Sequence, residues 1–368
     1  MDLPIELWGE ILQKTQSITT CDKLYDAFPN ETQSKLKSAY ESHKEHISLK
    51  MAVAFSDKIS FYNGDQLKKE VPFQDIIAVK FVKRWNTPIG KRDCLAVGTR
   101  NGAVMFWDAT TLDYIFLLNV QTILGDIEFH PTESIMISVC MRLYGRKMKV
   151  WKFDENGGAT NEANFTVEYL GEGKKYYYFH PTEPEIYVFA SNYLYNPYHR
   201  KLMKVFFCNY DRTSVSFSER IHSFMYLNEY YTPLKINADA SFECIKNENG
   251  KNYLCNFVIA GDEIKEIETQ CVCENIGSVP NLVIWDFIRV GADVYFYTSR
   301  IGDEAVIYKQ TGDKYKKIYD TIYIESRLFY KNGFLAFVEK AELKYIDLET
   351  LSIETFDVGE TPVDFCVM

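Results

Sequence analysis

The chain has 368 residues, of which 46% are hydrophobic and 25% charged, and its formal net charge is -10. This acidic balance argues against binding to nucleic-acid phosphates, and neither a membrane-spanning apolar run nor a signal peptide is present in the sequence. Nine cysteines without a Cys-x-x-Cys pair indicate reduced thiols, so we expect a cytosolic or nuclear protein that uses no metal or cofactor.

Residues 1–45 have the apolar spacing of short helices. Leu3, Leu7 and Ile11 recur every fourth residue, and Leu12 extends this stripe. Cap candidates at residues 19–22 begin a second helix, the Pro-Asn pair at 29–30 ends it, and a third helix is predicted from about 31 to 45. Three short helices bury little apolar surface alone, so this module needs a partner or the next domain.

From about residue 46 onward the apolar period becomes two, which is typical of β-strands. Residues 76–118 contain four strands, predicted at 76–82, 94–99, 103–107 and 113–118 with turns between them. The same pattern fits 123–171, 174–219, 230–269, 283–320 and 322–358. A four-stranded antiparallel unit repeated every 40 to 50 residues is typical of a β-propeller blade.

The two ends of this region complete the pattern. Residues 49–71 contain three strands, and 362–368 contain one strand without a blade of its own. We expect these four strands to form one sheet, which closes the ring and removes its exposed edges. The predicted fold is therefore mainly β, a seven-bladed propeller over residues 46–368 that is closed by the C-terminal strand and preceded by a three-helix module.

A five-residue segment, Phe-His-Pro-Thr-Glu, occurs at 129–133 and again at 179–183. His130 and His180 could be taken for metal ligands, but no Asp or Glu ligand pattern accompanies them. Because both histidines follow a strand and precede a Pro, we interpret them as structural residues of a repeated turn.

The N-terminal stripe resembles the opening of an F-box, in which Leu-Pro-x-Glu-Leu is followed by an Ile-Leu pair. This resemblance implies docking on a Skp1-type adaptor and, through it, on a cullin–RING ubiquitin ligase. The residues that carry it here, and that would contact the adaptor, are Leu3, Pro4, Ile5, Leu7, Ile11 and Leu12. The alternative is that this stripe is a capping helix packed on the propeller.

The strand repeats resemble the WD40 class. The segment from Val104 to Asp108, followed by Thr111 and Leu112, matches the end of such a repeat, and 150–154 and 345–350 are looser versions. The similar Trp285-Asp286 pair falls instead in the first strand of its unit. F-box proteins with WD40 propellers have this layout, and in them the propeller captures a protein substrate, frequently through an acidic or phosphorylated segment.

Basic residues recur in the predicted turns between the second and third strands. In that family an Arg in this turn binds a phosphate, and Arg100 matches its position best. A guanidinium offers paired donors that fit phosphate or carboxylate, whereas Lys and Arg are also ordinary residues of exposed turns. The candidate substrate-binding residues are Lys58, Arg100, Arg142, Arg300 and Lys340.

Motifs of nucleophilic hydrolases, zinc proteases and nucleotide-binding loops do not occur in the sequence. The sequence therefore predicts a protein without catalysis, the substrate-recognition subunit of a Skp1–cullin–F-box ubiquitin ligase. One alternative is a non-degradative propeller scaffold that assembles other proteins. Another is a propeller enzyme with residues drawn from several blades, which would need carboxylates or His in the central channel, where the predicted inner strands are mostly apolar or aromatic.

Overall fold

A computed structural model describes most of the chain, in two compact units: residues 1–73 with 324–368 form unit 1, and residues 74–323 form unit 2. The described residues are 24–28, 30–47, 50–63, 66–142, 145–167, 175–182, 185–191, 203–209, 217–221, 234–237, 239–248, 251–260, 263–272, 283–299, 305–312, 314–321, 328–331, 333–359 and 362–368.

One long helix, α1 (Asn30–Ile47), lies in unit 1 after a short helical turn at residues 24–26. The ring of Tyr25 stacks on that of Tyr40 at 3.9 Å, and its hydroxyl donates to the carbonyl of Gln33 over 2.9 Å. Leu36 is buried. The predicted three-helix module is not confirmed, since residues 1–23 lie outside the described part. No helix in the described part of the chain has the length and apolar character to span a membrane.

Unit 1 contains two four-stranded antiparallel sheets. Their strands are β1 (Lys50–Ala54), β2 (Lys58–Asn63), β3 (Gln66–Pro72), β24 (Phe329–Lys331), β25 (Phe334–Glu339), β26 (Glu342–Asp347), β27 (Ile353–Asp357) and β28 (Asp364–Val367). The first sheet has the order β28-β1-β2-β3, so the C-terminal strand pairs with the N-terminal one. The second runs β24-β25-β26-β27, and Phe365 and Tyr345 lie in a core shared by both sheets.

Unit 2 contains five further sheets of four strands, each antiparallel between neighbours. They are β4 (Ile76–Thr87), β5 (Gly90–Thr99), β6 (Ala103–Asp108), β7 (Tyr114–Asn119); β8 (Leu124–Phe129), β9 (Ile135–Arg142), β10 (Gly145–Phe153), β11 (Ala159–Val167); β12 (Lys175–Phe179), β13 (Glu185–Ser191), β14 (Met203–Asn209), β15 (Phe217–Ile221); β16 (Leu234–Ile236), β17 (Phe242–Glu248), β18 (Lys251–Ala260), β19 (Glu263–Val272); and β20 (Val283–Val290), β21 (Asp293–Ser299), β22 (Ala305–Thr311), β23 (Lys314–Thr321). The repeated four-stranded unit that the sequence predicts is thus present in both units.

Burial changes in the same direction across the two sheets of unit 1. Their second strands, β1 and β25, are apolar and almost entirely buried. Their fourth strands, β3 and β27, are largely exposed and carry charges toward solvent. Strands packed on both faces need continuous apolar runs, whereas charges on an edge strand prevent pairing with another chain. This gradient explains why the sequence period weakens in the second strand of each repeat.

A β-bulge recurs between the third and fourth strands. It lies at Phe61/Tyr62, Phe106/Trp107, Val150/Trp151, Asn256/Phe257 and Ile307/Tyr308 in five of the described sheets. A bulge adds one residue to one strand and increases the local twist. Its recurrence at one place shows that the five sheets are copies of a single twisted unit.

The Asp residues of two WD-like segments have the same structural role. The Oδ1 atom of Asp108 accepts hydrogen bonds from the amides of Thr110 and Thr111, at 2.8 and 3.0 Å. Asp347 accepts from the two equivalent amides of its own turn at the same distances. The carboxylate therefore satisfies amides of the turn after the third strand, which explains why this residue type recurs there.

The cysteines that the structure describes occur as thiols, most of them inside the sheets. The buried ones are Cys94, Cys140, Cys244, Cys255 and Cys366. Burial raises the pKa of the Cys94 thiol to about 12, so this side chain stays protonated and unreactive at neutral pH.

Candidate binding surface at the second-to-third turns

The four predicted basic residues that the structure describes all lie at turns between second and third strands. Lys58 begins β2 and Lys340 follows β25 in unit 1. Arg100 follows β5 and Arg142 ends β9 in unit 2. The sequence therefore locates these turns closely, although Arg142 still pairs with Gly145 and so precedes its turn. The other predicted residues lie outside the described part: Arg300, the side chain of Arg142, and Leu3, Pro4, Ile5, Leu7, Ile11 and Leu12.

A backbone hydrogen bond holds these turns in three of the sheets. The amide of Val120, just after β7, donates to the carbonyl of Gly102 over 2.8 Å. Equivalent bonds join Val358 to Ala341 over 2.9 Å and Phe73 to Asp57 over 2.6 Å. The chain that leaves the fourth strand thus fastens the turn between the second and third strands. Such turns have a fixed backbone before any ligand binds.

Arg100 is held by backbone hydrogen bonds at both its amide and its carbonyl. Its amide donates to the carbonyl of Asp75 over 2.8 Å, and its carbonyl accepts from the amide of Leu124 over 3.0 Å. Gly102 completes the turn with a φ of +91°, where a Cβ atom would lie 2.3 Å from the carbonyl oxygen of Thr122. The Arg100 side chain is exposed, and its guanidinium has no ion-pair partner among the described residues. All five donors of this group therefore remain available to a ligand.

The two predicted lysines of unit 1 differ from each other. The ammonium of Lys58 lies 3.2 Å from Oε1 of Glu70 and 5.2 Å from the ring centre of Phe55. A hydrogen bond from Ser60, followed by that of Lys58, lowers the pKa of Glu70, so the carboxylate keeps its charge. Lys340 is exposed, with a φ of +48°. The charge of Lys58 is therefore already neutralised within its sheet, whereas the side chain of Lys340 is exposed to solvent.

A second group of charged residues joins two sheets of unit 2, where the sequence predicts mostly apolar and aromatic inner strands. Nε of Arg289 lies 2.8 Å from Oε1 of Glu243, and Nζ of Lys235 lies 3.3 Å from Oδ1 of Asp286. Lys235 also donates to the carbonyl of Phe287. Burial raises the pKa of Glu243, and Arg289 partly opposes this. We call Lys235, Glu243, Asp286 and Arg289 the inner charged cluster.

The inner charged cluster is not evident from the sequence, because its members are far apart along the chain. Lys235 and Asp286 lie on β16 and β20, which are the first strands of different sheets. Single charged residues in otherwise apolar strands have no spacing that marks them as a group. The one signal was a charged residue at a position where the strand period requires an apolar one, as at Asp286, which is 5% exposed.

Comparison with known proteins identifies a fold but no family. No family model matches the chain, and no curated protein has a matching sequence. The F-box and WD40 resemblances therefore receive no support at the level of sequence families. Solved structures do match, at identities so low that the likeness concerns the fold alone.

Two solved structures match with a TM-score of at least 0.5. One is the periplasmic gluconolactonase PpgL of Pseudomonas aeruginosa, at a TM-score of 0.55, 11% identity, and coverage of 87% of this chain and 99% of that one. The other is a putative 6-phosphogluconolactonase from Bacteroides uniformis, at 0.50, 12% identity, and coverage of 87% and 99%. The β-propeller domain of Myceliophteria thermophila Cps50 (Swd1) matches at 0.47, with 9% identity and coverage of 83% and 93%.

These neighbours correct one prediction from the sequence. The absence of catalytic motifs predicted a protein without catalysis, and this prediction is wrong, because the two best-superposing of these structures bear the names of lactonases. Enzymes on this architecture do not need the linear motifs for which the sequence was searched, since their residues come from separate strands. The chain is therefore mainly β, built from repeated four-stranded sheets, and similar in fold to these two lactonase structures.

Proposed function

We propose that this chain is a protein-interaction subunit that captures a protein substrate at its second-to-third turns. Residues 1–45 then dock it on a Skp1-type adaptor, which makes it the substrate-recognition subunit of a Skp1–cullin–F-box ubiquitin ligase in the cytosol or nucleus. The single observation that carries the substrate-binding half is Arg100, whose backbone is fixed at both its amide and its carbonyl while its guanidinium is exposed.

The chemistry of Arg100 favours an acidic or phosphorylated substrate segment. A guanidinium binds a phosphate or carboxylate with two parallel hydrogen bonds, and the fixed backbone of Arg100 reduces the entropy that is lost on binding. Lys340 offers a second exposed cation at the equivalent turn of another sheet. A chain with a net charge of -10 repels acidic segments elsewhere, so local cations contribute to selectivity as well as to affinity.

The adaptor half is tested by binding of purified Skp1 to the full chain. The variant Leu3→Ala with Pro4→Ala should lose binding by at least about tenfold, because a few central apolar side chains carry most interface energy. The matched control is Leu67→Ala with Ile353→Ala, which truncates two exposed apolar side chains on outer strands. Unchanged binding by the first variant contradicts the F-box assignment, and absence of binding by the full chain leaves the non-degradative scaffold.

The substrate half is tested by the charge reversal Arg100→Glu. Proteins captured by the full chain from a eukaryotic lysate should be lost, while Skp1 binding stays unchanged, since the turn is remote in sequence from residues 1–45. Lys316→Glu, at an exposed position of β23, is the control for the altered net charge. Capture that survives Arg100→Glu contradicts binding at the second-to-third turns. Equal loss of capture in Arg100→Glu and Lys316→Glu would assign the effect to net charge alone.

A second candidate function is hydrolysis, and the inner charged cluster is the observation that favours it. A buried carboxyl with a raised pKa, next to two cations, is a common arrangement for general acid–base chemistry. It is also common in purely structural ion-pair networks. Hydrolysis of glucono-δ-lactone by the full chain, lost by at least about a hundredfold in Glu243→Gln, would favour the enzyme. No activity above the spontaneous rate leaves the cluster as a structural link between sheets.

A further inference from the structure

The β4–β5 hairpin is longer than its counterparts in the other described sheets. β4 has 12 residues, whereas the other first strands have between three and eight. The sequence predicts that the two strands end at residue 82 and begin at residue 94. The structure continues their pairing through Trp85 with Arg92, Asn86 with Lys91, and Thr87 with Gly90. We call residues 83–93 the hairpin extension.

The hairpin extension is packed tightly against the following sheet of unit 2. Trp85 is 1% exposed, and its ring lies 5.1 Å from that of Phe129 and 4.9 Å from that of Phe153. The amide of Asn86 donates to Oγ of Ser134 over 2.9 Å, and its side chain donates to the carbonyl of Phe153 over 3.1 Å. Trp85 and Asn86 therefore fix the extension against the following sheet.

The exposed side chains of the hairpin extension are strongly basic. Lys83, Arg84, Lys91 and Arg92 are all exposed, and none of them has an ion-pair partner among the described residues. The one carboxylate of the extension, Asp93, accepts a hydrogen bond from the backbone amide of Arg84 over 2.7 Å. Four unpaired cations within ten residues contrast with a chain whose net charge is -10.

An apolar side chain accompanies these cations at the tip. Ile89 is 58% exposed, among the highest values for a large apolar residue in the described part of the chain. The turn that carries it contains Gly90, whose φ is +93° and whose surroundings leave open space. An exposed Ile between basic residues offers a contact for a partner that has both carboxylates and an apolar side chain.

This surface is separate from the second-to-third turns. The extension and Arg100 lie at opposite ends of β5, which spans Gly90–Thr99. Ten residues of extended strand place them about 30 Å apart. A ligand at one surface therefore leaves the other accessible, so the two can be tested independently.

We propose that the hairpin extension is a second docking site, and that it binds an acidic segment of a partner protein that also carries an apolar side chain. Lys83, Arg84, Lys91 and Arg92 attract the carboxylates, and Ile89 contacts the apolar residue. The rigid packing of Trp85 means that no ordering of the hairpin accompanies binding, which favours affinity. Charge complementarity also accelerates association, because the field of four cations steers an acidic segment to the tip.

The test uses the full chain and a fluorescein-labelled peptide of about fifteen residues, composed of Glu, Asp and Leu, in an anisotropy titration. Lys91→Glu with Arg92→Glu should weaken binding by at least about tenfold, and Ile89→Ser by about fivefold. The affinity of the unaltered chain should also fall as salt is raised, since the site is exposed.

Lys314→Glu with Lys316→Glu is the matched control. It makes the same change of net charge at exposed positions of β23, and it should alter the affinity by less than about twofold. Near-ultraviolet circular dichroism verifies that each variant remains folded. Equal losses in both double variants, no binding by the unaltered chain, or tighter binding of single-stranded RNA or phosphatidylserine vesicles than of the peptide would each overturn the proposal.

Discussion

The repeated histidines act as acceptors inside a turn. Nδ1 of His130 accepts hydrogen bonds from the amides of Thr132 and Glu133, at 3.3 and 3.1 Å, and Nδ1 of His180 accepts from Thr182 at 3.2 Å. The ring of His130 also lies edge-on to Phe179 of the next sheet, at 5.2 Å. These hydrogen bonds give both residues a structural role in their turns, and the amide of the Thr two residues after each His is one of the donors.

We expect His130 to make stability depend on pH. Burial lowers its pKa below the ordinary value of 6.5, so the unfolded chain takes up this proton first as the pH falls. The stabilisation is complete above the unfolded pKa, and it is lost as the pH falls toward the folded one. His130→Asn keeps an acceptor near the amides but cannot titrate, so its free energy of unfolding should vary less between about pH 7.5 and about pH 5.5.

Urea unfolding at the two pH values measures this difference. His180→Asn is the control, because it makes the same substitution in the same motif at a more exposed position. His130→Ala should cost about 1–3 kcal/mol at neutral pH, since two amides lose their acceptor. An identical pH dependence in His130→Asn and the unaltered chain would assign the acid sensitivity to other groups.

Single residues of the candidate surface were predictable only where a turn fixes them. Arg100 is followed by Asn-Gly, a strong turn signal, so its place at the end of β5 follows from the sequence. The engagement of Lys58 with Glu70 does not, because a bulge between β2 and β3 shifts the cross-strand register. A pattern with period two locates a strand but not the residue opposite each position.

At the scale of elements, the hairpin extension shows where strand patterns mislead. Lys83-Arg84 interrupts the apolar alternation and resembles the start of a loop. In the structure a bulge between Val82 and Trp85 accommodates both residues, with Arg84 at a φ of +50°, and the strand continues beyond them. Packing of Trp85 in a neighbouring sheet outweighs the local pattern, and no window of sequence contains that contact.

Gly157 allows the hairpin extension to lie close to the β10–β11 turn, because it has no Cβ atom. Its φ is +75°, and a Cβ atom would lie 2.5 Å from Cδ of Pro88 and 2.7 Å from the carbonyl carbon of Thr87. Gly157→Ala should therefore lower the free energy of unfolding by about 1–3 kcal/mol more than strain in φ alone would, because the hairpin must move. Chemical unfolding followed by tryptophan fluorescence would measure the change.

Gly291→Ala separates the two causes. Gly291 also has a positive φ, +61°, but nothing lies within 4 Å of its Cβ position, so this variant reports the backbone strain by itself. Equal destabilisation by both substitutions would mean that the hairpin yields without cost, and that its contact with the following sheet is loose.

At the scale of the whole molecule, the repeat of four strands was predictable and the division into units was not. The sequence predicts the sheet β28-β1-β2-β3 from two incomplete ends, and it places Trp285 correctly in a first strand. The boundary of the helical module at residue 45 stays a prediction, since compactness divides the chain at residues 73 and 324 instead. Compactness depends on contacts between segments distant in the chain, which periodicity does not encode.

Deletion of residues 362–368 should destabilise unit 1. β28 supplies Phe365, which is 2% exposed, and its ring lies 4.4 Å from that of Phe329. The amide of Val363 also donates to the carbonyl of Ala54 over 2.8 Å. Removing a buried Phe alone costs about 3–5 kcal/mol, and the freed edge of β1 can pair with another chain.

Thermal unfolding and size-exclusion chromatography test this prediction. The deletion should lower the melting temperature and produce aggregates, whereas Val363→Ser, which changes an exposed side chain of the same segment, should do neither. A truncated chain that remains monomeric and equally stable would show that β28 contributes little to its sheet.

The backbone links at the second-to-third turns separate the shape of the surface from its chemistry. Main-chain amides and carbonyls hold the Arg100 turn, while Gly102, wedged against Thr122, fixes its curvature. The side chain of Arg100 takes no part in this support, whereas that of Asn101 accepts a hydrogen bond from the amide of Ala103 over 3.3 Å. Single substitutions at position 100 can therefore change which ligand the turn recognises, in evolution or by design, while the backbone of the turn keeps its shape.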